Sequence, residues 1–61
     1  MNQEENYKAA EKFFKQHPEQ PVIVYYDEDD KEWSFCRESA WDWMVDDGIV
    51  EANWCYCMIT Y

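Results

Sequence analysis

Residues 22–37, VIVYYDEDDKEWSFCR, leave the chain the fewest alternatives. VIVYY is β-branched and aromatic, the composition that suits a pleated, packed surface. EWSFCR then returns in strand-like alternation after the acidic stretch DEDDKE. The segment predicts a β-hairpin. Val22, Val24 and Tyr26 take one face of its first strand, and Ile23 and Tyr25 the other. On the second strand Trp33 and Phe35 lie opposite Ser34 and Cys36. The turn holds neither Gly nor Asn-Gly, so a four- or five-residue loop is expected rather than a two-residue one.

An isolated hairpin is marginal in water and needs a layer against it. Residues 3–16 predict a helix that can supply one. Asn2 can cap it, with Glu5 three residues on. Tyr7, Ala10, Phe13 and Phe14, with Ala9 at the edge, form one apolar stripe. Glu4, Lys8, Glu11, Lys12 and Lys15 lie opposite. Glu4–Lys8 and Glu11–Lys15 are favourable i,i+4 pairs, worth about 0.2–0.5 kcal/mol each. Lys15 and His17 suit the negative end of the helix dipole. Pro18 stops the helix and Pro21 restricts the link that follows.

Residues 39–47 predict a second helix, or one starting two residues earlier, with Ser39 and Asp42 as its S-x-x-D cap and Gly48 at C′. Ala40, Trp41 and Met44 face inward, with Val45 and Trp43 at the two margins. Glu38, Asp42 and Asp46 project from the other side. The closing IVEANWCYCMITY predicts a strand with Ala52, Trp54, Tyr56 and Met58 on one face and Asn53, Cys55, Cys57 and Ile59 on the other. Both faces are fairly apolar, as in a strand at the centre of a sheet. Antiparallel pairing with the first strand would leave the return strand at an edge. The expected fold is α+β in the order α-β-β-α-β: one domain over residues 1–61, a three-stranded, mainly antiparallel sheet packed by two helices.

A 61-residue chain buries only about 60 % of the surface its unfolded form exposes. Its stability is expected near 3–5 kcal/mol, roughly what one small core supplies. Three Phe, five Tyr and four Trp offset the shortage of residues, each ring burying roughly 150–250 Å². MNQEENYKAAEK contains no apolar run and so reads as neither signal peptide nor membrane span. A cytoplasmic location is the expectation. Three cysteines do not suggest a disulfide framework. Cys55 and Cys57, on one face of a strand, stand roughly 6–7 Å apart by strand rise, too far for a disulfide, so reduced thiols packed as small hydrophobes are expected.

Charge is where the chain departs from the ordinary. The net charge is −9. Residues 1–26 hold four acids and three bases, or −1; residues 27–61 hold ten acids and two bases, or −8. Such a chain is repelled by nucleic acid and by anionic membranes and attracted to basic protein surfaces. The turn supplies Asp27, Glu28, Asp29, Asp30 and Glu32. The second helix supplies Glu38, Asp42, Asp46 and Asp47, and Glu51 follows. Like charges four apart on a helix, and acids in its last turn, both destabilise. The first helix places its charges favourably; the second breaks the same rules, and such breaks mark functional surface. The competing reading is that the acids serve solubility alone.

Carboxylates about 5–6 Å apart on a helix face approximate the phosphate spacing of a nucleic-acid strand. A channel that neutralises phosphates with Lys and Arg can accept them instead, with Trp43 or a Tyr at the sheet edge as an aromatic anchor among the charges. Calcium is disfavoured, because Asp27-x-Asp29 is followed by Lys31 and no loop Gly or bidentate Glu stands at the required spacing. Zinc is disfavoured because Cys55-x-Cys57 lacks a second Cys pair and His17 reads as a helix-terminal residue. No enzyme is expected: the acids crowd on polar surface, the lone His has no evident link to a thiol, and Gly48 is the only glycine. No cofactor is implied.

In its length, acidity and lone α/β domain, the chain resembles small phage-encoded inhibitors of bacterial defence, including anti-CRISPR proteins that imitate DNA. That resemblance implies a bacterial host cytoplasm and a CRISPR–Cas surveillance or effector complex as partner, where arginines and lysines read the PAM and hold the duplex. The partner expected from charge is a basic nucleic-acid-binding protein, met through Asp27, Glu28, Asp29, Asp30, Glu32, Glu38, Asp42, Trp43, Asp46, Asp47 and Glu51. Neither direct nucleic-acid binding nor membrane binding is expected, and the domain is expected as a monomer or a dimer. Two alternatives use related physics: an immunity protein or antitoxin against a basic toxin, and a structural module recognising partners through exposed aromatics or a sheet edge.

Overall fold

The computed structural model describes residues 1–61 and shows the expected α+β order. Helix α1 is Gln3–Gln16, strand β1 Val22–Asp27, strand β2 Glu32–Arg37, helix α2 Glu38–Asp46 and strand β3 Cys55–Ile59. A short 3-10 turn at Ala52–Trp54 precedes β3. Both strand pairings are antiparallel and the sheet order is β2-β1-β3. The central strand is therefore β1, not the last strand. Its apolar run is buried from Val22 through Tyr25, whereas Cys55, Tyr56 and Met58 of β3 are exposed.

Alternation along β1 divides the core in two. Val22 and Val24 pack with Ala10 and Phe14 of α1, flanked by Phe13, Trp33, Phe35, Cys57 and Ile59. Ile23 and Tyr25 pack with Trp41 of α2 and with Val50 and Trp54. The helices thus cover opposite faces of one sheet.

Helix α1 begins as predicted. Asn2 Oδ1 accepts from the Glu5 amide at 2.8 Å, and Asn2 Nδ2 donates to Glu5 Oε1 at 3.1 Å. Glu4–Lys8 closes at 3.3 Å, but Glu11–Lys15 does not form an ion pair. Beyond the helix, Glu19 accepts from Arg37 Nη2 at 2.8 Å, and the guanidinium lies 5.3 Å from the Phe13 ring centre.

The N-terminal cap of α2 differs from the prediction. Ser39 lies inside the helix, and the cap residue, Arg37, makes no side-chain capping bond. The first amides are met from the link before β1 instead. Glu38 N donates to the Pro21 carbonyl at 3.0 Å, and Ser39 N to Gln20 Oε1 at 3.1 Å. The far end forms a Schellman motif. Gly48 N donates to Val45 O at 3.1 Å and Ile49 N to Met44 O at 2.9 Å, with Gly48 at φ +76°.

The last strand is shorter than predicted and its alternation is broken. Trp54 is drawn into the α2-side core through the 3-10 turn. Between Val24 and Tyr25 the β1–β3 register slips: Val24 pairs with Cys57 and Tyr25 with Cys55. Tyr56 is the extra residue of a β-bulge. It therefore leaves the face of Trp54 and Met58 and packs edge-on to Trp33 at 5.4 Å, on the α1 side. The same slip separates Cys55 from Cys57, whose partners Tyr25 and Val24 belong to opposite faces.

Candidate functional site

The predicted hairpin turn is a four-residue loop, Glu28–Lys31. Asp27 builds it from within: its Oδ1 accepts from the amides of Asp29 at 3.0 Å and Asp30 at 3.1 Å. Lys31 closes the loop in the left-handed region, φ 54°. Asp27 is thus a turn-forming group, half-buried, while Glu28, Asp29 and Asp30 project into solvent.

Since α2 starts directly after β2, it must double back along the sheet, and its C-terminal end returns to the hairpin turn. Glu28 and Asp29 of the turn and Gly48–Glu51 beyond α2 line one shallow depression of about 290 Å³, floored by Val50 and Trp54. Asp46 and Asp47 stand on the helix end beside it. Glu38, Asp42 and Asp46 are all exposed along α2. At 1.5 Å per residue this row extends about 12 Å and ends two residues before Gly48, which lines the depression. Glu32 stands apart: it lies 3.9 Å from the N-terminal amine, where α1 begins.

The chain's own bases leave this surface unpaired. Lys8 pairs with Glu4, Arg37 with Glu19, and His17 Nδ1 lies 3.9 Å from Glu19. No lysine or arginine lies within ion-pair distance of an acid of the turn or of α2. Lys31, in the turn, is the one base among them. Trp43 is 52 % exposed on α2, and Ile49, at the lip of the depression, equally so. Ile49 was not anticipated. Its signal is the Gly48-Ile49 pair: an apolar residue after a C′ glycine usually folds back on the helix, but here it stays in solvent.

Two further residues escape a reading by pattern. Asn6 is 1 % exposed although its type suggests surface, and only its spacing four before Ala10 places it on the buried stripe. Gln20 gives no local sign that it caps a helix beginning eighteen residues later.

The thiols are unpaired. Cys36 packs against the α2-side core and Cys57 against the α1-side core, while Cys55 is exposed rather than packed. Burial, with a smaller push from Cys55, raises Cys36 to about 11. The same causes in the same order raise Cys57. Neither is an activated thiolate. No group of three or more His, Cys, Asp or Glu side chains is placed to hold a metal ion, and no helix is long and apolar enough to cross a membrane. No protein-family model matches the chain, and neither a curated protein nor a solved structure shows significant similarity to it.

Proposed function

We propose that the protein is a stoichiometric inhibitor that presents the α2 row and the turn cluster as a phosphate-like anionic face to a basic nucleic-acid-binding protein. The supporting observation is that these carboxylates are exposed and left unpaired by the chain's own lysines and arginine. Acids in the last turn of α2 cost about 0.3–1 kcal/mol each where exposed, and like charges four apart cost tenths more. Together that is about 1–2 kcal/mol of the roughly 3–5 kcal/mol expected of so small a domain. Docking against positive charge relieves it. Glu28, Asp29, Glu38, Asp42, Asp46, Asp47 and Glu51 carry the face, with Trp43 and Ile49 as apolar anchors; Asp30 flanks it. Asp27 shapes the turn, and Glu32 lies outside the face.

The most specific form of the proposal is an anti-CRISPR that blocks target-DNA binding at the PAM-reading surface of an effector complex. The test is displacement of a fluorescent PAM-containing duplex from a panel of purified CRISPR–Cas surveillance and effector complexes. The parent displaces the duplex at equimolar amounts, less well as salt rises. The Asp42→Lys/Asp46→Lys double variant stays folded and loses displacement. A double variant that displaces DNA as well as the parent overturns the mechanism. No displacement, with tight binding to a basic nuclease or other toxin instead, moves the same face to the antitoxin reading.

A further inference from the structure

Strand β3 pairs with β1 along one side only, and its other side is unpaired. Monomeric proteins blunt such edges with charge, proline or a bulge. The β2 edge is bounded by Glu32 and Arg37, but Ala52–Tyr61, ANWCYCMITY, has no charged side chain and no proline. Its one blunting device is the bulge at Tyr56. Tyr56 is 58 % exposed on the α1 side, and Met58, across the strand from Ile23, is 49 % exposed on the α2 side. Helix α2 and its acid row pack over β1 and β2, so most of the charge lies away from this edge.

We propose that the free edge of β3 pairs antiparallel with β3 of a second copy, about a two-fold axis near Met58, to form a continuous six-stranded sheet. The contact is self-complementary and closed. Antiparallel pairing sets Cys57 of one copy beside Ile59 of the other, both on the α1 face and clear of the bulge. The acid-rich turn ends then stand at opposite ends of the shared sheet, roughly 25 Å or more apart by strand rise and spacing. That is about three Debye lengths at physiological ionic strength. Each turn end lies toward the other copy's α1 C-terminus, marked by the Phe14–Tyr61 contact at 5.1 Å and by Lys15, which has no acidic partner. Parallel pairing would bring the two acidic ends together. The proposal does not depend on the anionic-face reading, and salt separates the two: it weakens docking to a basic partner and strengthens association of two copies that are each −9.

Sedimentation equilibrium and a dilution series of amide NMR spectra test it. The expected average mass climbs with concentration from 7.5 kDa toward twice that value, more readily at ~150 mM than at ~10 mM salt. Concentration-dependent shifts fall on Cys55–Tyr61 and spare β2 and the turn. Met58→Lys and Thr60→Lys, both at exposed positions, weaken association at least about tenfold by placing an unpaired charge in the contact. Their thermal unfolding and their binding to a basic partner stay as in the parent. A chain that remains at 7.5 kDa under every condition overturns the proposal. Association that survives both lysine variants, or shifts centred on the turn or β2, overturns it equally.

Discussion

The side-chain amide of Asn6 donates a 2.9 Å hydrogen bond to the main-chain carbonyl of Ser34, 28 residues away. It ties α1 to the β2 edge of the sheet through the one buried polar side chain of the core. Losing one partner of a buried hydrogen bond leaves the other desolvated and unpaired. Asn6→Ala should therefore cost about 1–3 kcal/mol. Asn6→Asp should cost more at neutral pH, since a carboxylate sets negative charge against the Ser34 carbonyl. Urea unfolding measures both, and a neutral Asn6→Ala result rules out this role.

Gly48 sits at φ +76°, and a Cβ added there meets nothing within 4 Å. The penalty for Gly48→Ala is therefore backbone conformation alone, about 1–2 kcal/mol. Gly48→Asn should cost less, because Asn tolerates the left-handed region. Thermal unfolding of the two variants should rank them so.

The sequence pattern assigns the N-terminal cap of α2 to Ser39; the fold assigns it to Gln20 and Pro21. Ser39→Ala should accordingly fall within about 0.5 kcal/mol of the parent, as an exposed substitution does. Gln20→Ala should cost about 0.5–2 kcal/mol, the range for a lost cap. The reverse ranking by chemical denaturation would restore Ser39 to the role.

Burial lifts the Cys36 thiol from 9.0 to about 11. The unfolded chain gives up this proton earlier than the folded one, so folding holds the proton through that window. The associated stability is fully present below pH 9 and is lost as pH rises toward 11, with Cys57 acting in the same direction. Urea midpoints should fall between pH 8.5 and 10.5, and the fall should be shallower in Cys36→Ala.

Elements specified by neighbours in sequence were readable, and elements specified across the fold were not. Asn2, Glu5 and Pro18 delimit α1 within a few residues, and the glycine-free DEDDKE stretch implies a loop of four or five residues, of which the fold uses four. Gly48 marks the end of α2. The start of α2 depends on Gln20, which only the hairpin brings near, and the 3-10 turn at Trp54 arises because the indole must reach Trp41 and Tyr25. The bulge follows from fitting β3 to β1, so alternation put Tyr56 and Cys55 on the wrong sides. Acid positions on α2 were legible from helical spacing. Their convergence with Glu28 and Asp29 was not, since it depends on α2 doubling back along the sheet.

Because β1 takes its second neighbour from Cys55–Ile59, the sheet cannot close while the chain is still being synthesised up to α2. Nascent chains halted there carry Val22 and Val24 on a half-paired strand, with a non-local pairing still to be made. Removing Cys55–Ile59 would therefore leave the buried run Val22–Tyr25 with one unpaired edge, open to proteases and to other strands.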